Sequence, residues 1–118
     1  MIGDMQKWTP NVAGIIEHAK EIHPKTEVIS RLVSGEVHRT NYEEVCIRSR
    51  KLASALEKDG VKHGDVIATL ALNTFRHLEM YYGISGMGAV TCLLYTSDAA
   101  DYKMGVDLGG RRIIKKIF

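Results

Sequence analysis

"VIATLALNTFRHLEMYYGISGMGAV" (66–90) reads as strand, helix, strand. The opening "VIATLAL" (66–72) is a continuous apolar run, the pattern of a strand buried on both faces. Asn73 or Thr74 can cap the helix that follows. That helix, over 74–87, is expected to present Phe75, Leu78, Tyr82 and Ser85 on one face, with Met80, Tyr81, Ile84 and Met87 elsewhere. So apolar a helix belongs in an interior. Gly86 and Gly88 end it, and Ala89-Val90 opens a second strand over about 89–94. A strand–helix–strand unit of this length implies parallel strands and a right-handed crossover.

The upstream chain has the same local rhythm. Thr9-Pro10-Asn11 starts a helix near 10–22, with Val12, Ile15, Ile16, Ala19 and Ile22 at helical spacing and Pro24 ending it. "TEVISRLV" (26–33) is strand-like, and Ser34-Gly35-Glu36 turns it into "VHRT" (37–40) as a hairpin. Thr40-Asn41-Tyr42-Glu43 fits a capping box for a helix over 41–59. Val45, Ser49, Leu52, Ala53 and Leu56 share one face of that helix, and Glu44 and Arg48 are placed to pair across a turn of the other. Gly60 is suited to end it, and "VKHGD" (61–65) is a turn.

Length and composition confine the possibilities. The chain has 118 residues, 45% of them hydrophobic and 25% charged, as in an ordinary globular domain with one core. The start "MIGDMQKW" lacks the apolar stretch of a signal peptide, and no apolar run is long enough for a membrane span. Cys46 and Cys92 form neither a disulfide framework nor a zinc-type pattern, so a cytoplasmic location is expected. The net charge of +2 is unevenly placed. Residues 1–91 hold 11 basic and 11 acidic side chains, whereas 92–118 hold 5 and 3. A neutral body argues against nucleic acid as its partner.

"RTNYEEVCIRSRKLASALEKDGVKHGDVIATLALNTFRHLEMYYGISGMGAV" (39–90) resembles the N-terminal segment of AMP-forming acyl-CoA synthetases, in the adenylate-forming superfamily. The resemblance is carried by Thr40-x-x-Glu43, Leu52-Ala53-x-Ala55-Leu56 and Gly60-Val61-x-x-Gly64-Asp65-x-Ile67. It continues through Leu72-Asn73, Glu79-x-Tyr81 and Gly86-Met87-Gly88-Ala89-Val90. It covers about residues 5–90, and 73–90 look most like the branch acting on medium-chain or methylthio-alkanoic acids. The resemblance implies a parent several times longer that activates a carboxylic acid with ATP and Mg, then transfers the acyl group to CoA. The family's phosphate loop, adenine and magnesium motifs and catalytic lysine lie downstream of this segment. No residue here matches them, so no catalytic, cofactor-binding or metal site is assigned and the segment reads as scaffold. An amino-acid adenylation domain or an aryl-acid ligase shares the same early elements.

"CLLYTSDAAD" (92–101) breaks the pattern. It looks like a translated sequencing-library adapter: TGT CTC TTA TAC ACA TCT GAC GCT GCC GAC, the reverse complement of a transposon-based adapter, encodes all ten residues. "VDLGGRRII" (106–114) matches the flanking primer site in the same frame, and 102–105 have the length of the variable index. Tyr102, where the frame expects Asp or Glu, departs from it, and 115–118 have no counterpart. The expected organisation is therefore α/β. Residues 1–91 form the incomplete start of an adenylate-forming large domain, a β-hairpin plus a parallel βαβ unit with flanking helices. Residues 92–118 are a non-native tail. The alternative is a genuine small binding protein whose basic C-terminal arm meets nucleic acid or an anionic surface.

Several residues invite sharper readings. Gly83-x-x-Gly86-x-Gly88 looks like a phosphate loop but lies in and after a helix, where helix-end packing is expected. His18, His23, His38, His63 and His77 contain no i, i+4 pair, so a helical metal site is not expected; His77, beside Arg76, is the strongest candidate for a role. Asn73 is expected to fix the strand-to-helix turn. Cys46 is read as a small half-buried side chain without a base beside it. Phe75, Tyr81 and Tyr82 are expected in the core.

Overall fold

The computed structural model describes residues 9–93. In chain order these form α1 (Val12–Ile22), β1 (Glu27–Arg31), β2 (Val37–Asn41), α2 (Tyr42–Lys58), β3 (Val66–Thr69), α3 (Phe75–Gly86) and β4 (Val90–Leu93). β1 and β2 make an antiparallel hairpin, and β3 and β4 a separate parallel pair. The α/β architecture read from the sequence is present, with helices packed on a hairpin and on a βαβ unit. The start "MIGDMQKW" and residues 94–118, with most of the expected tail, lie outside the described residues.

The two helix starts upstream rest on asparagines. Asn11 Oδ1 accepts from Gly14 N at 2.7 Å, and Asn41 Oδ1 accepts from Glu44 N at 2.9 Å. The second corrects the capping box by one residue. Thr40 is still in the β2 ladder, opposite Val28, and its hydroxyl donates to the Glu44 carboxylate at 2.6 Å. Asn41 is the last extended residue, so it caps, and Glu44 rather than Glu43 occupies the third helical position. The strand thus runs into the helix with no intervening loop.

The hairpin keeps its charged side chains Glu27, Arg31 and Arg39 outward, yet the face it turns inward is also mostly polar. Val28, Ser30, His38 and Thr40 face the helices, while Ile29 and Val37 stay more than half exposed. Strand alternation alone cannot choose between these faces. The choice follows from partners. Ser30 Oγ accepts from the Phe75 backbone N–H at 2.8 Å, and the His38 ring stacks on Phe75 with centroids 3.9 Å apart. A serine from the hairpin therefore satisfies a backbone donor in the first turn of α3. The N-cap residue Thr74 makes no side-chain capping bond of its own.

β3 is shorter than "VIATLAL" suggested and is not buried on both faces. It ends at Thr69; Leu70 and Leu72 are 54% and 62% exposed. Within it Ile67 and Thr69 are buried beneath the helices, whereas Val66 remains on the open face. The reason is sheet size: a parallel strand gains two covered faces only when helices pack on both sides of a wider sheet. β4 begins at Val90 and pairs in register with β3, Val66 opposite Val90 and Thr69 opposite Leu93.

Two buried clusters share α2 and α3. One holds Leu56, Val61, Ile67, Ile84 and Ala89, with Leu52, Met80 and Met87 against it. The other holds Ile16, Val45 and Cys46, joined by Ala19, Val28, Tyr42, Leu78 and Tyr82. Burying each of the larger aliphatic side chains contributes about 1.5–3 kcal/mol. The inward face of α3 is rotated from the one read in the sequence: Phe75, Glu79, Gly83 and Ile84 are buried, while Leu78 and Tyr82 are only half-buried. An inward Glu79 and Gly83 could not be told from apolar spacing.

Ser30→Ala should lower unfolding free energy by about 1–2 kcal/mol, because it orphans a buried N–H of α3. Thr74→Ala should change it by no more than about 0.5 kcal/mol. Urea titration of the two variants checks the ranking.

Candidate functional site

The most structured polar junction is where α2, α3 and the hairpin meet. Glu79 is buried, and its Oε1 accepts from Arg48 Nε at 2.6 Å. The Arg48 side chain is 56% exposed, so one end of the pair reaches water. Arg48 therefore pairs with α3 and not with Glu44 across its own helix, and Glu44 is taken by Thr40. The guanidinium carbons of Arg48 and Arg76 lie 5.9 and 5.6 Å from the centre of the Phe75 ring. His38 on that ring completes a stack of one aromatic with three basic groups.

The helices meet closely at Gly83. A Cβ there would lie 2.8 Å from the Ser49 carbonyl oxygen, a contact that backbone atoms cannot relieve without moving apart. Ser49 Oγ in turn donates to the Val45 carbonyl at 2.8 Å, satisfying a buried hydroxyl within α2. Gly88 has φ +83°, and a side chain there would collide with the His63 ring. Gly64 N–H donates to the Gly88 carbonyl at 2.8 Å, locking the 61–65 turn onto the end of α3. Gly83 thus serves helix packing and Gly88 a turn with positive φ.

The histidines do not converge. His18, His23 and His63 are exposed, His38 is in the Phe75 stack, and His77 Nε2 lies 3.5 Å from Thr69 Oγ1. That contact places His77 between α3 and β3. Among the described residues no three His, Cys, Asp or Glu side chains form a group able to hold a metal ion. Asn73 is exposed; the turn it was expected to fix is closed instead by the backbone, Thr74 N–H to Leu72 C=O at 2.8 Å. Tyr81 and Tyr82 meet edge to face with centroids 5.3 Å apart, and burial pushes the Tyr82 hydroxyl above its ordinary pKa.

Cys46 is more enclosed than expected, with no exposed surface. Burial first, and then the neighbouring Glu17 carboxylate, raise its thiol pKa; Arg50 opposes them. The Cys46 Sγ lies 3.6 Å from Glu17 Oε1. A protonated, sealed thiol is not a nucleophile. The described surface thus offers pairing and packing, and no constellation of nucleophile, base and anion-stabilising donors. No helix among the described residues is long and apolar enough to cross a membrane.

This order of three helices, a hairpin and a parallel strand pair has counterparts among solved structures. The fold matches the N-terminal domain of FACL13 from Mycobacterium tuberculosis with a TM-score of 0.67 at 20% identity, over 75% of this chain and 22% of that one. It matches the anthranilate CoA ligase AuaEII with a TM-score of 0.69 at 17% identity, over 86% and 19%.

A model of the family described as AMP-binding enzyme matches residues 16–103, and the chain belongs to that family. It is 47% identical over 90 residues to a medium-chain-fatty-acid–CoA ligase of Ectopseudomonas oleovorans, covering 76% of this chain and 16% of the ligase. It is 50% identical over 80 residues to a long-chain-fatty-acid–CoA ligase of Thermus thermophilus, covering 68% and 15%. With a 3-methylmercaptopropionyl-CoA ligase of Ruegeria lacuscaerulensis it shares 42% over 90 residues, covering 76% and 17%. The chain spans about one sixth of the length of these relatives. An independent small binding protein with a basic arm is not favoured by these matches.

Gly83→Ala should destabilise by about 1–3 kcal/mol although alanine favours helix, because the methyl meets the α2 backbone. Arg48→Met should cost about 1–3 kcal/mol by leaving the buried Glu79 unpaired. Arg39→Met, which removes the exposed pair with Glu27, should stay within about 0.5 kcal/mol. Denaturant midpoints of the three variants test the order.

Proposed function

We propose that this chain is the N-terminal scaffold of an AMP-forming acyl-CoA ligase acting on a fatty or related carboxylic acid. In the full-length protein the carboxylate attacks the α-phosphate of Mg-bound ATP, giving an acyl-adenylate and releasing pyrophosphate. The thiol of CoA then attacks the acyl carbon and AMP leaves. The observation that carries the reading is 47% identity over 90 residues to a ligase of which those residues are only 16%. The similar relatives act on medium-chain, long-chain and methylthio acids by name, so the acid is chosen elsewhere in the parent. The role of this segment is mechanical. The hairpin and the βαβ unit are fixed to α2 and α3, and the open faces with Ile29, Val37, Val66 and Val90 await the parent's remaining layers.

The native part ends near residue 91 in this reading, and 92–118 are translated adapter. Support comes from the codon match, from the net charge confined to that tail and from the break in pattern. The family match runs on to residue 103, and β4 recruits Cys92 and Leu93. A parallel ladder draws on backbone N–H and C=O groups, so its last residues are filled by any β-compatible pair. Both described cysteines are free, which suits a cytoplasmic enzyme.

Re-sequencing the locus from codon 60 onward tests the tail. The expected result is departure from "TCLLYTSDAAD" near codon 91 and continuation into a Ser/Thr/Gly-rich phosphate loop. Confirmation of all 118 codons and their stop would end the tail reading. The chain as it stands should show no acid-dependent ATP–pyrophosphate exchange, whereas the re-sequenced parent should exchange and form acyl-CoA. Exchange by the 118-residue chain would overturn the scaffold assignment.

A further inference from the structure

α1 is held by few interactions. Of its 11 residues only Ile16 is buried, at 4% exposure, and Ile15 and Ile22 point to solvent at 60% and 58%. Ile16 lies against Val45 and Cys46 of α2, and the half-buried Ala19 is the one other apolar side chain of α1 packed on that cluster. The polar tie is a single carboxylate oxygen. Glu17 Oε1 accepts from Arg50 Nε at 2.8 Å, pairs with Arg50 Nη2, and lies 3.6 Å from the Cys46 thiol. One atom of α1 thus grips two residues of α2 that are one helical turn apart.

Beneath this grip the packing is incomplete. A cavity of about 170 Å³ lies between the three helices, lined on α1 by Ala13, Ile16 and Glu17 and opposite by Cys46, Tyr82 and Gly86. A void forfeits the dispersion contacts that close packing supplies. The α2–α3 contact is closed where Gly83 sits directly on the Ser49 backbone, and these two residues form the floor of the cavity on the side away from α1. Beyond α1 the chain is pinned again: Glu43 N–H donates to the Pro24 carbonyl at 3.2 Å. Segments with one buried side chain and exposed polar ties open locally at a fraction of the global unfolding free energy.

We propose that α1 is a strap that lifts from α2 and α3 while the rest of the fold stays closed, and that lifting is what admits reagents to Cys46. Pro24 is the anchor that confines the opening to Val12–Ile22. Cover and chemistry change together. Under the strap the thiol is sealed and kept protonated by burial and by Glu17. With α1 lifted it meets water, loses the carboxylate and keeps Arg50 one turn away, which favours thiolate. The device stands on α1 and its cavity and does not depend on the ligase reading.

Alkylation by iodoacetamide tests it on the full 118-residue chain, with Cys46 and Cys92 resolved as separate peptides by mass spectrometry. The thiolate sulfur forms the new S–C bond, iodide leaves, and the thiol proton goes to buffer. Cys46 should label slowly in the wild type, at a rate nearly independent of urea below the unfolding transition. Glu17→Gln and Ile16→Ala should each speed it about tenfold, as loss of a charge-assisted tie or of the buried anchor requires. Leu56→Ala, in the other cluster, should leave that urea-independent rate within about twofold. A Cys46 rate with the full urea dependence of global unfolding would overturn the proposal. So would equal, fast labelling of both thiols that ignores the residue at position 17.

Discussion

The contact between α2 and α3 organises everything else in this segment. Gly83 lets the two backbones approach, and Arg48 reaches across to the buried Glu79 at 2.6 Å. Close approach and ion pair sit side by side on the same seam. The glycine and the carboxylate lie one turn apart on α3, and without Arg48 a carboxylate at this depth would be a buried unpaired charge. The two hydrophobic clusters lie on either side of this seam and draw on both helices.

The hairpin and the parallel pair are attachments to that seam, each by polar bonds as well as burial. Ser30 holds the start of α3, and Ser85 meets Thr91 of β4 at 2.9 Å near its end. A helix bonded to one strand pair at its first turn and to another at its last fixes how both are placed. That is consistent with a described surface where polar groups are spent on one another.

Much of this was legible beforehand. The order of elements, the Asn11 and Gly60 ends, the hairpin and the βαβ unit follow from spacing and turn chemistry that act over a few residues. The capping box was misplaced by one because a threonine hydroxyl, an asparagine and two glutamates in a row offer two equivalent boxes. Only the end of the β2 ladder chooses Asn41. The inward Glu79 goes against apolar spacing because it answers to Arg48, a partner on another helix, and Ile29 stays outward because Ser30, on the other face of β1, meets the start of α3.

The sequence alone determined the helices, the strands, the neutral body and the family likeness, because those rest on local periodicity and on residues read in order. The tertiary structure alone decided which face of the hairpin turns inward, that Arg48 leaves Glu44 for Glu79, that Ser30 caps α3 and that Cys46 is sealed beneath α1. Each of these is a meeting of residues far apart in the chain. No local rule ranks such meetings until the backbone has brought the partners within hydrogen-bond reach.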